Sequence, residues 1–81
     1  MAKADGWQTP FDAPIVLPNG KQLVTLRDAI QHLCETTPKR DRNHPRVVLA
    51  ATILTNVAEG RDLVMHARIA VLRALNRNRT R

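Results

Sequence analysis

The sequence has few aromatic residues and one cysteine. Its 81 residues include one tryptophan, one phenylalanine and no tyrosine. With only Trp7 and Phe11 as aromatic residues, the core must be aliphatic and rich in alanine, whose small side chain favours close helix packing. The lone Cys34 excludes an internal disulfide framework and suits a reducing compartment, so we expect a cytoplasmic protein.

The sequence also lacks long apolar runs and the known sequence motifs of phosphate-, zinc- and nucleic-acid-binding sites. The longest uncharged run, residues 47–58, is too short to span a membrane, and the N-terminal residues do not resemble a signal peptide. There is no GxxxxGK[ST] loop, no zinc-finger spacing and no aromatic platform for stacking bases. We therefore predict no catalytic residue, no metal site, no cofactor and no membrane partner, and we do not expect an enzyme.

Two apolar segments in the second half of the chain predict a pair of helices. Pro45 fits the first turn of a helix, and Gly60 fits the left-handed position that ends one. Between them, apolar residues recur at the three-and-four spacing of an amphipathic helix. The inner face of this helix is predicted to contain Val47, Ala50, Ala51, Leu54, Val57 and Ala58.

The last helix is apolar on more than one side. One stripe consists of Leu63, Ala67, Ala70 and Ala74, and a second consists of Met65, Ile69 and Leu72. A helix with this pattern is normally covered on several sides, and a chain this short has few elements to cover it. We therefore expect a homodimer or a protein partner, with Met65, Ile69 and Leu72 as the interface and the exposed edge of the hairpin predicted below as a further candidate.

The first half of the chain predicts a β-hairpin and one more helix. Asn19-Gly20 between two short apolar runs is a strong hairpin signal, because both residues tolerate positive φ. Thr25 followed by Asp28 predicts a helix cap. The predicted fold is α+β, an N-terminal hairpin packed with three helices in the order ββααα. We assign residues 1–10 to a flexible arm, 11–76 to a single domain and 77–81 to a basic frayed tail.

A set of residues spread through these elements matches the pattern of a known family. The matching residues are Phe11, Pro14, Ile15, Val16, Asp28, Ala29, Leu33, Pro38, Ala50 or Ala51, Gly60, Ala67, Arg68, Ala70 and Ala74. Through them the chain resembles a family of small proteins, mostly from alphaproteobacteria, catalogued as domain of unknown function 982. The resemblance implies a small α+β fold and no particular chemistry. The chain departs from the family pattern where Thr37 precedes Pro38 in place of tryptophan, and where the family often has a cysteine in the second helix.

Cys34 and the nearby His32 are residue types found in metal sites and nucleophilic sites, but their spacing argues against both. Residues two apart on a helix point to nearly opposite sides, so the two side chains cannot converge on one ion. Cys34 falls on the apolar face of its helix, where a free cysteine behaves as a small hydrophobic residue. We predict that it packs in the core.

Two side chains of the last helix are predicted to form ion pairs. Arg68 lies between the two apolar stripes and must find a carboxylate or carbonyls, so we expect a structural ion pair with Asp28 or Glu35. His66 follows Asp62 by one turn, a spacing that allows a pair on the exposed side.

The net charge of +6 is concentrated in two segments. Residues 39–46 carry +3 and residues 73–81 carry +4.

Our first hypothesis for the function is a non-catalytic module for self-association or protein interaction. The alternative is a nucleic-acid-binding accessory protein, because arginine-rich segments attract phosphate. Its contacts would be Arg40, Arg42, Arg46, Arg77 and Arg79.

Overall fold

The computed structural model describes residues 6–77, which form a two-stranded antiparallel hairpin followed by three helices. The predicted ββααα fold of the α+β class is confirmed. None of the helices in these residues combines the length and apolar character that a membrane crossing requires. The elements are β1 (Pro10–Val16), β2 (Gln22–Thr25), α1 (Leu26–Thr36), α2 (Pro45–Ala58) and α3 (Val64–Leu75), with short 3-10 turns at Gly6–Gln8 and Lys39–Asp41.

The hairpin turn lies where the sequence predicts it but has a different geometry. Only Gly20 has positive φ, at +89°, whereas Asn19 keeps a negative φ. The Gly20 amide donates to the Leu17 carbonyl at 2.9 Å, and the Leu17 amide donates to the Lys21 carbonyl at 2.8 Å. Pro18, whose ring fixes φ near −65°, therefore takes the second position of a four-residue turn. Asn19 contributes through its side chain, whose Oδ1 accepts from the Lys21 amide at 2.9 Å.

Pairing between the strands is irregular in the middle of β1. Pro10 is opposite Thr25 and Ile15 is opposite Leu23, so the longer strand bulges between these two pairs. Pro14 lies within the bulge, and proline cannot donate to a strand ladder. Phe11 and Ile15 are four residues apart and so share one face of the strand, and both are in the core, whereas Ala13 between them is exposed.

Helix α1 begins at the predicted cap. The Thr25 hydroxyl accepts from the Asp28 amide at 3.2 Å, and the Asp28 carboxylate accepts from the Thr25 amide at 3.2 Å. The same carboxylate also accepts from the Val24 amide at 3.0 Å, which joins the end of β2 to the helix. The capping box is confirmed, and it occupies the Asp28 side chain.

The predicted ends of α2 are confirmed as well. Pro45 is in its first turn, and the Nδ1 of His44 caps the helix by accepting from the Arg46 amide at 3.1 Å. At the other end Gly60 has a φ of +83°, the left-handed conformation that lets the chain turn into α3.

The core is aliphatic, as predicted, and α2 and α3 contribute half of it. Phe11 is the one aromatic residue among the buried side chains of the described residues. Five of the buried residues are alanine. The buried apolar residues are Phe11, Ile15, Leu17, Leu23, Leu26, Ala29, Leu33, Ala50, Leu54, Val57, Ala67, Ala70, Val71 and Ala74.

Four of the residues that we assigned to a flexible arm, 6–9, are among the described residues and contact the rest of the fold. Gly6–Gln8 form a 3-10 turn, Trp7 packs against the core, and the Leu26 amide at the start of α1 donates to the Thr9 carbonyl at 3.0 Å. Gly6 lies so close to the end of α2 that a Cβ there would overlap the carbonyl of Ala58. This contact is between residues far apart in sequence, so no local pattern indicates it.

Replacing Gly6 with alanine should therefore destabilise the protein. The added methyl group meets backbone rather than a flexible side chain, so we expect a loss of about 1–3 kcal/mol in the free energy of unfolding, measured with urea. Gln8→Ala, an exposed change in the same turn, serves as the control. Equal stability of the two variants would show that the N-terminal turn does not pack on α2.

Candidate functional site

Helices α2 and α3 pack side by side through small residues. Ala50 and Leu54 of α2 and Ala67 and Ala74 of α3 are fully buried. Small side chains allow close approach of two helices. The close packing uses the alanines and leaves several larger aliphatic residues of both helices on the outside.

Two of the three predicted interface residues are exposed. Met65 has 53% of its surface exposed and Ile69 has 49%. Successive residues of a helix are rotated by about 100°, so these two lie opposite the buried Ala67 and Ala74. Their exposure follows directly from the helical period.

The third predicted interface residue, Leu72, has a different environment. It is half-buried and packs against the core. Together with Leu75 and Val16 it lines a groove between α3 and the hairpin. The stripe of Met65, Ile69 and Leu72 is therefore divided along the helix, because the hairpin turn lies beside the C-terminal part of α3, where Leu72 is.

Helix α2 contributes residues that the sequence analysis did not include in the interface. Leu49, 48% exposed, and the half-buried Ile53 face α3 across a shallow groove of about 190 Å³. We call the surface around this groove the outer face. The period of α2 could have indicated Leu49, since it precedes Ile53 by one turn. The groove is lined by Leu49, Ile53, His66, Ile69, Ala70 and Arg73.

The predicted pair between Asp62 and His66 is confirmed at one end of the outer face. His66 Nδ1 lies 2.7 Å from Asp62 Oδ1, which also accepts from the Leu63 amide at 2.7 Å. The hydrogen bond with His66, followed by that with the Leu63 amide, lowers the pKa of the Asp62 carboxyl below its usual value. The pair ties the loop before α3 to the first turn of the helix.

Arg68 binds a carbonyl and not the predicted carboxylate. Its Nε donates to the Ala13 carbonyl in β1 at 3.0 Å, and it forms no ion pair with any residue in 6–77. The expected pair with Asp28 or Glu35 is thus replaced by a bond to the bulged strand. Asp28 is already engaged in the cap of α1, and the bulge around Pro14 leaves strand carbonyls available.

The basic residues of the predicted nucleic-acid surface separate into two groups. Arg40, Arg42 and Arg46 are exposed. Arg77 is almost buried, because its Nη2 and Nε donate to Asp41 Oδ2 at 3.1 and 3.3 Å and its Nη1 donates to the Ala74 carbonyl at 2.7 Å. Arg79 lies outside the described residues. The pair fixes the 3-10 turn Lys39–Asp41, at the start of the basic loop of residues 39–46, to the end of α3.

Cys34 is exposed, so the prediction that it packs in the core was wrong. Its neighbour Leu33 is buried and takes the inward position on α1. His32 is half-buried on another side of the helix. Across residues 6–77, no three histidine, cysteine or acidic side chains come together as metal ligands could.

Comparison of the chain with protein-family models, with curated proteins and with solved structures finds no match. The resemblance to the family of domain of unknown function 982 therefore stays a prediction.

The Asp62–His66 pair predicts a lowered pKa of Asp62 that a titration can measure. The lowered pKa means that the folded state favours the carboxylate of Asp62. The pair therefore favours folding above the ordinary pKa of aspartate, and this contribution is lost as the pH falls through the lowered value. In a carbon-13 NMR titration, the pKa of Asp62 should rise toward the ordinary value in His66→Ala. An identical pKa in both proteins would contradict this assignment.

The Asp41–Arg77 pair predicts that removing the carboxylate charge destabilises the fold. The two side chains are only 15% and 10% exposed, so solvent screens them little. Asp41→Asn should lower the free energy of unfolding by about 1.5–3 kcal/mol in urea denaturation. Asp12→Asn changes an exposed carboxylate on β1 and should have little effect. The assignment fails if the two variants are equally stable.

Proposed function

We propose that the protein is a non-catalytic self-association module that forms a homodimer through the outer face of α2 and α3. The observation that carries the proposal is the concentration of exposed aliphatic residues on this helix pair. Among the described residues, seven large apolar side chains are exposed, and five belong to α2, α3 or the residue that caps α3. These five are Val48, Leu49, Leu63, Met65 and Ile69.

Clustering of such residues is the unusual feature, since single exposed apolar side chains are common. Leu49 and Ile69 are on different helices but line the same groove, and Met65 lies one turn before Ile69. A continuous apolar surface on a small protein marks a contact site when it exceeds a few hundred Å². Covering it would remove aliphatic surface from water, which stabilises association.

The shape of the outer face suits a symmetric contact. In a two-fold dimer each copy presents the same surface, so a protruding side chain of one copy must fit a depression of the other. Met65 is long and flexible, and the groove beside Leu49 and Ile53 is apolar. Each copy thus supplies both a side chain that protrudes and a groove that can receive it.

Net charge gives the dimer a characteristic response to salt. Two copies that each carry +6 repel one another at low ionic strength, and added salt screens this repulsion. Burial of aliphatic side chains does not depend on screening. The proposed dimer should therefore be at least as stable at high salt as at low salt.

Nucleic-acid binding is the competing hypothesis, and it predicts the opposite response. Its affinity depends on phosphate contacts and falls steeply with salt. Of the four predicted contacts within residues 6–77, Arg77 is engaged by Asp41. Arg40, Arg42 and Arg46 form a smaller basic surface than the sequence predicts, so self-association is the better supported proposal.

Ile69→Glu tests the proposed interface. In the dimer the new carboxylate would be removed from water, and Arg73 one turn away would offset only part of this cost, so we expect a net loss of about 3 kcal/mol, or roughly 100-fold in the dissociation constant. In the monomer the same position is half exposed, so the fold should tolerate the change. The measurement is the mass in solution by sedimentation equilibrium in high salt.

Val16→Glu is the matched control. Val16 is 65% exposed but lies on the hairpin, away from the α2–α3 groove. The Val16→Glu variant should therefore form the same dimer as the parent protein. Dissociation by Val16→Glu and not by Ile69→Glu would move the interface to the hairpin, and a monomeric parent protein would contradict the proposal.

A further inference from the structure

Charged side chains of opposite sign lie at the two ends of the outer face. On α3, His66, Ile69 and Arg73 fall within about 60° of one another around the helix, so they form one row along the groove. The bond between His66 and Asp62 adds a carboxylate to the start of this row. From the beginning of α3 to its end, the outer face is therefore acidic, then apolar, then basic.

The basic end of the row is Arg73, whose charge has no partner within the described residues. Arg73 is exposed and lines the groove. Its guanidinium forms no ion pair and no side-chain hydrogen bond with any residue in 6–77, whereas Arg77, one turn further on, is engaged by Asp41. The Arg73 guanidinium is thus available to a carboxylate of another molecule.

The acidic end is Asp62, which has one carboxylate oxygen available. Its Oδ1 accepts from the Leu63 amide and contacts His66 Nδ1, both at 2.7 Å. Its Oδ2 has no partner in residues 6–77, and it is not among the buried polar atoms there that lack one. The side chain is 26% exposed, so a cation from outside the chain can reach Oδ2.

A two-fold axis can bring the outer faces of two copies together in two orientations. If the two α3 helices run antiparallel, the beginning of each faces the end of the other, and Asp62 of each copy meets Arg73 of the other. If they run parallel, Arg73 faces Arg73 and Asp62 faces Asp62. Like charges placed opposite one another across an interface are strongly disfavoured, so the charges favour the antiparallel orientation.

The antiparallel orientation also suits the apolar centre of the outer face. Met65 lies three residues after Asp62. Ala70 lies three residues before Arg73, so it comes to the same level as Met65 of the other copy. Ala70 is buried and lines the groove, and its small side chain leaves room above it for a longer one. One register of the two helices thus satisfies both the charges and the apolar contact.

We infer, given the homodimer proposed above, that its two α3 helices run antiparallel and that Arg73 of each copy forms an ion pair with Asp62 of the other. An ion pair at the edge of an interface adds little affinity, because water and salt screen it. The two pairs therefore set the orientation of the copies, and the apolar centre holds the copies together. The dimer keeps the response to salt expected of its apolar contact.

Opposite charge changes in two separate proteins test this orientation. Arg73→Glu places two carboxylates at each contact and Asp62→Lys places two cations there, so each homodimer should have a dissociation constant about tenfold above that of the parent. When the two variants are mixed, they should form a heterodimer in which both contacts join opposite charges. Its dissociation constant should lie within about threefold of the parent value.

Energy transfer between dyes attached to Cys34 measures each dimer in solution. Cys34 is exposed, is the only cysteine in the sequence and does not line the groove of the outer face. Donor-labelled copies of one protein are titrated with acceptor-labelled copies of another at low salt, where charge effects are largest. Urea denaturation of each variant checks that it is folded.

Arg27→Glu is the matched control for net charge. It changes the charge by the same amount as Arg73→Glu, but Arg27 is exposed on α1 and does not line the groove. Its mixture with Asp62→Lys keeps one repulsive contact, so it should bind about threefold less tightly than the mixture of Arg73→Glu with Asp62→Lys. Equal affinity of the two mixtures would assign the rescue to net charge and overturn the inference.

The remaining outcomes separate the orientation from the homodimer itself. If the parent dimerises and both single variants dimerise equally well, the homodimer stands and the Arg73–Asp62 pairs are wrong. If the parent binds Arg73→Glu more tightly than it binds itself, the helices run parallel and the inferred orientation is overturned. A parent protein that shows no energy transfer at any salt concentration would contradict the homodimer, and the orientation with it.

Discussion

The close contact between α2 and α3 is the feature on which the rest of the structure depends. Phe11 is the only buried aromatic residue in 6–77, so aromatic side chains fill little of the interior, and the alanines of the two helices allow them to approach closely. This contact gives the hairpin and α1 a surface to pack on. It also leaves aliphatic side chains such as Leu49 and Ile69 on the far side, where a second copy can cover them. The close packing of α2 and α3 through alanines therefore accounts both for the composition of the core and for the exposed aliphatic residues of the proposed interface.

Features set by neighbouring residues could be predicted from the sequence. The cap formed by Thr25 and Asp28, the start of α2 at Pro45 and its end at Gly60 each depend on atoms no more than four residues apart. Helix and strand order followed from these signals and from apolar periodicity. The hairpin turn shows the limit of such reasoning, since Asn-Gly correctly indicated its position but Pro18 determined its geometry.

Features that join distant parts of the chain could not be predicted. The bond from Arg68 to Ala13 and the pair of Arg77 with Asp41 link residues 55 and 36 positions apart, and their partners depend on how the elements pack. Exposure of Cys34 likewise depends on which side of α1 the hairpin and α2 cover. The cavity lined by Cys34, Thr37 and Ala51 could not be predicted for the same reason, because its two walls come from α1 and α2. On α2, Ala51 lines this cavity while Leu49 lines the outer face, about 200° away around the helix.

The most direct test of the central claim is to observe which side chains meet between two copies. A sample mixed from isotope-labelled and unlabelled protein gives NMR cross-peaks between copies only for groups in contact across an interface. The account predicts such cross-peaks between the methyl groups of Met65 or Ile69 in one copy and those of Leu49 or Ile53 in the other. Absence of these cross-peaks in high salt, or their appearance only at Val16 and Val24 of the hairpin, would contradict it.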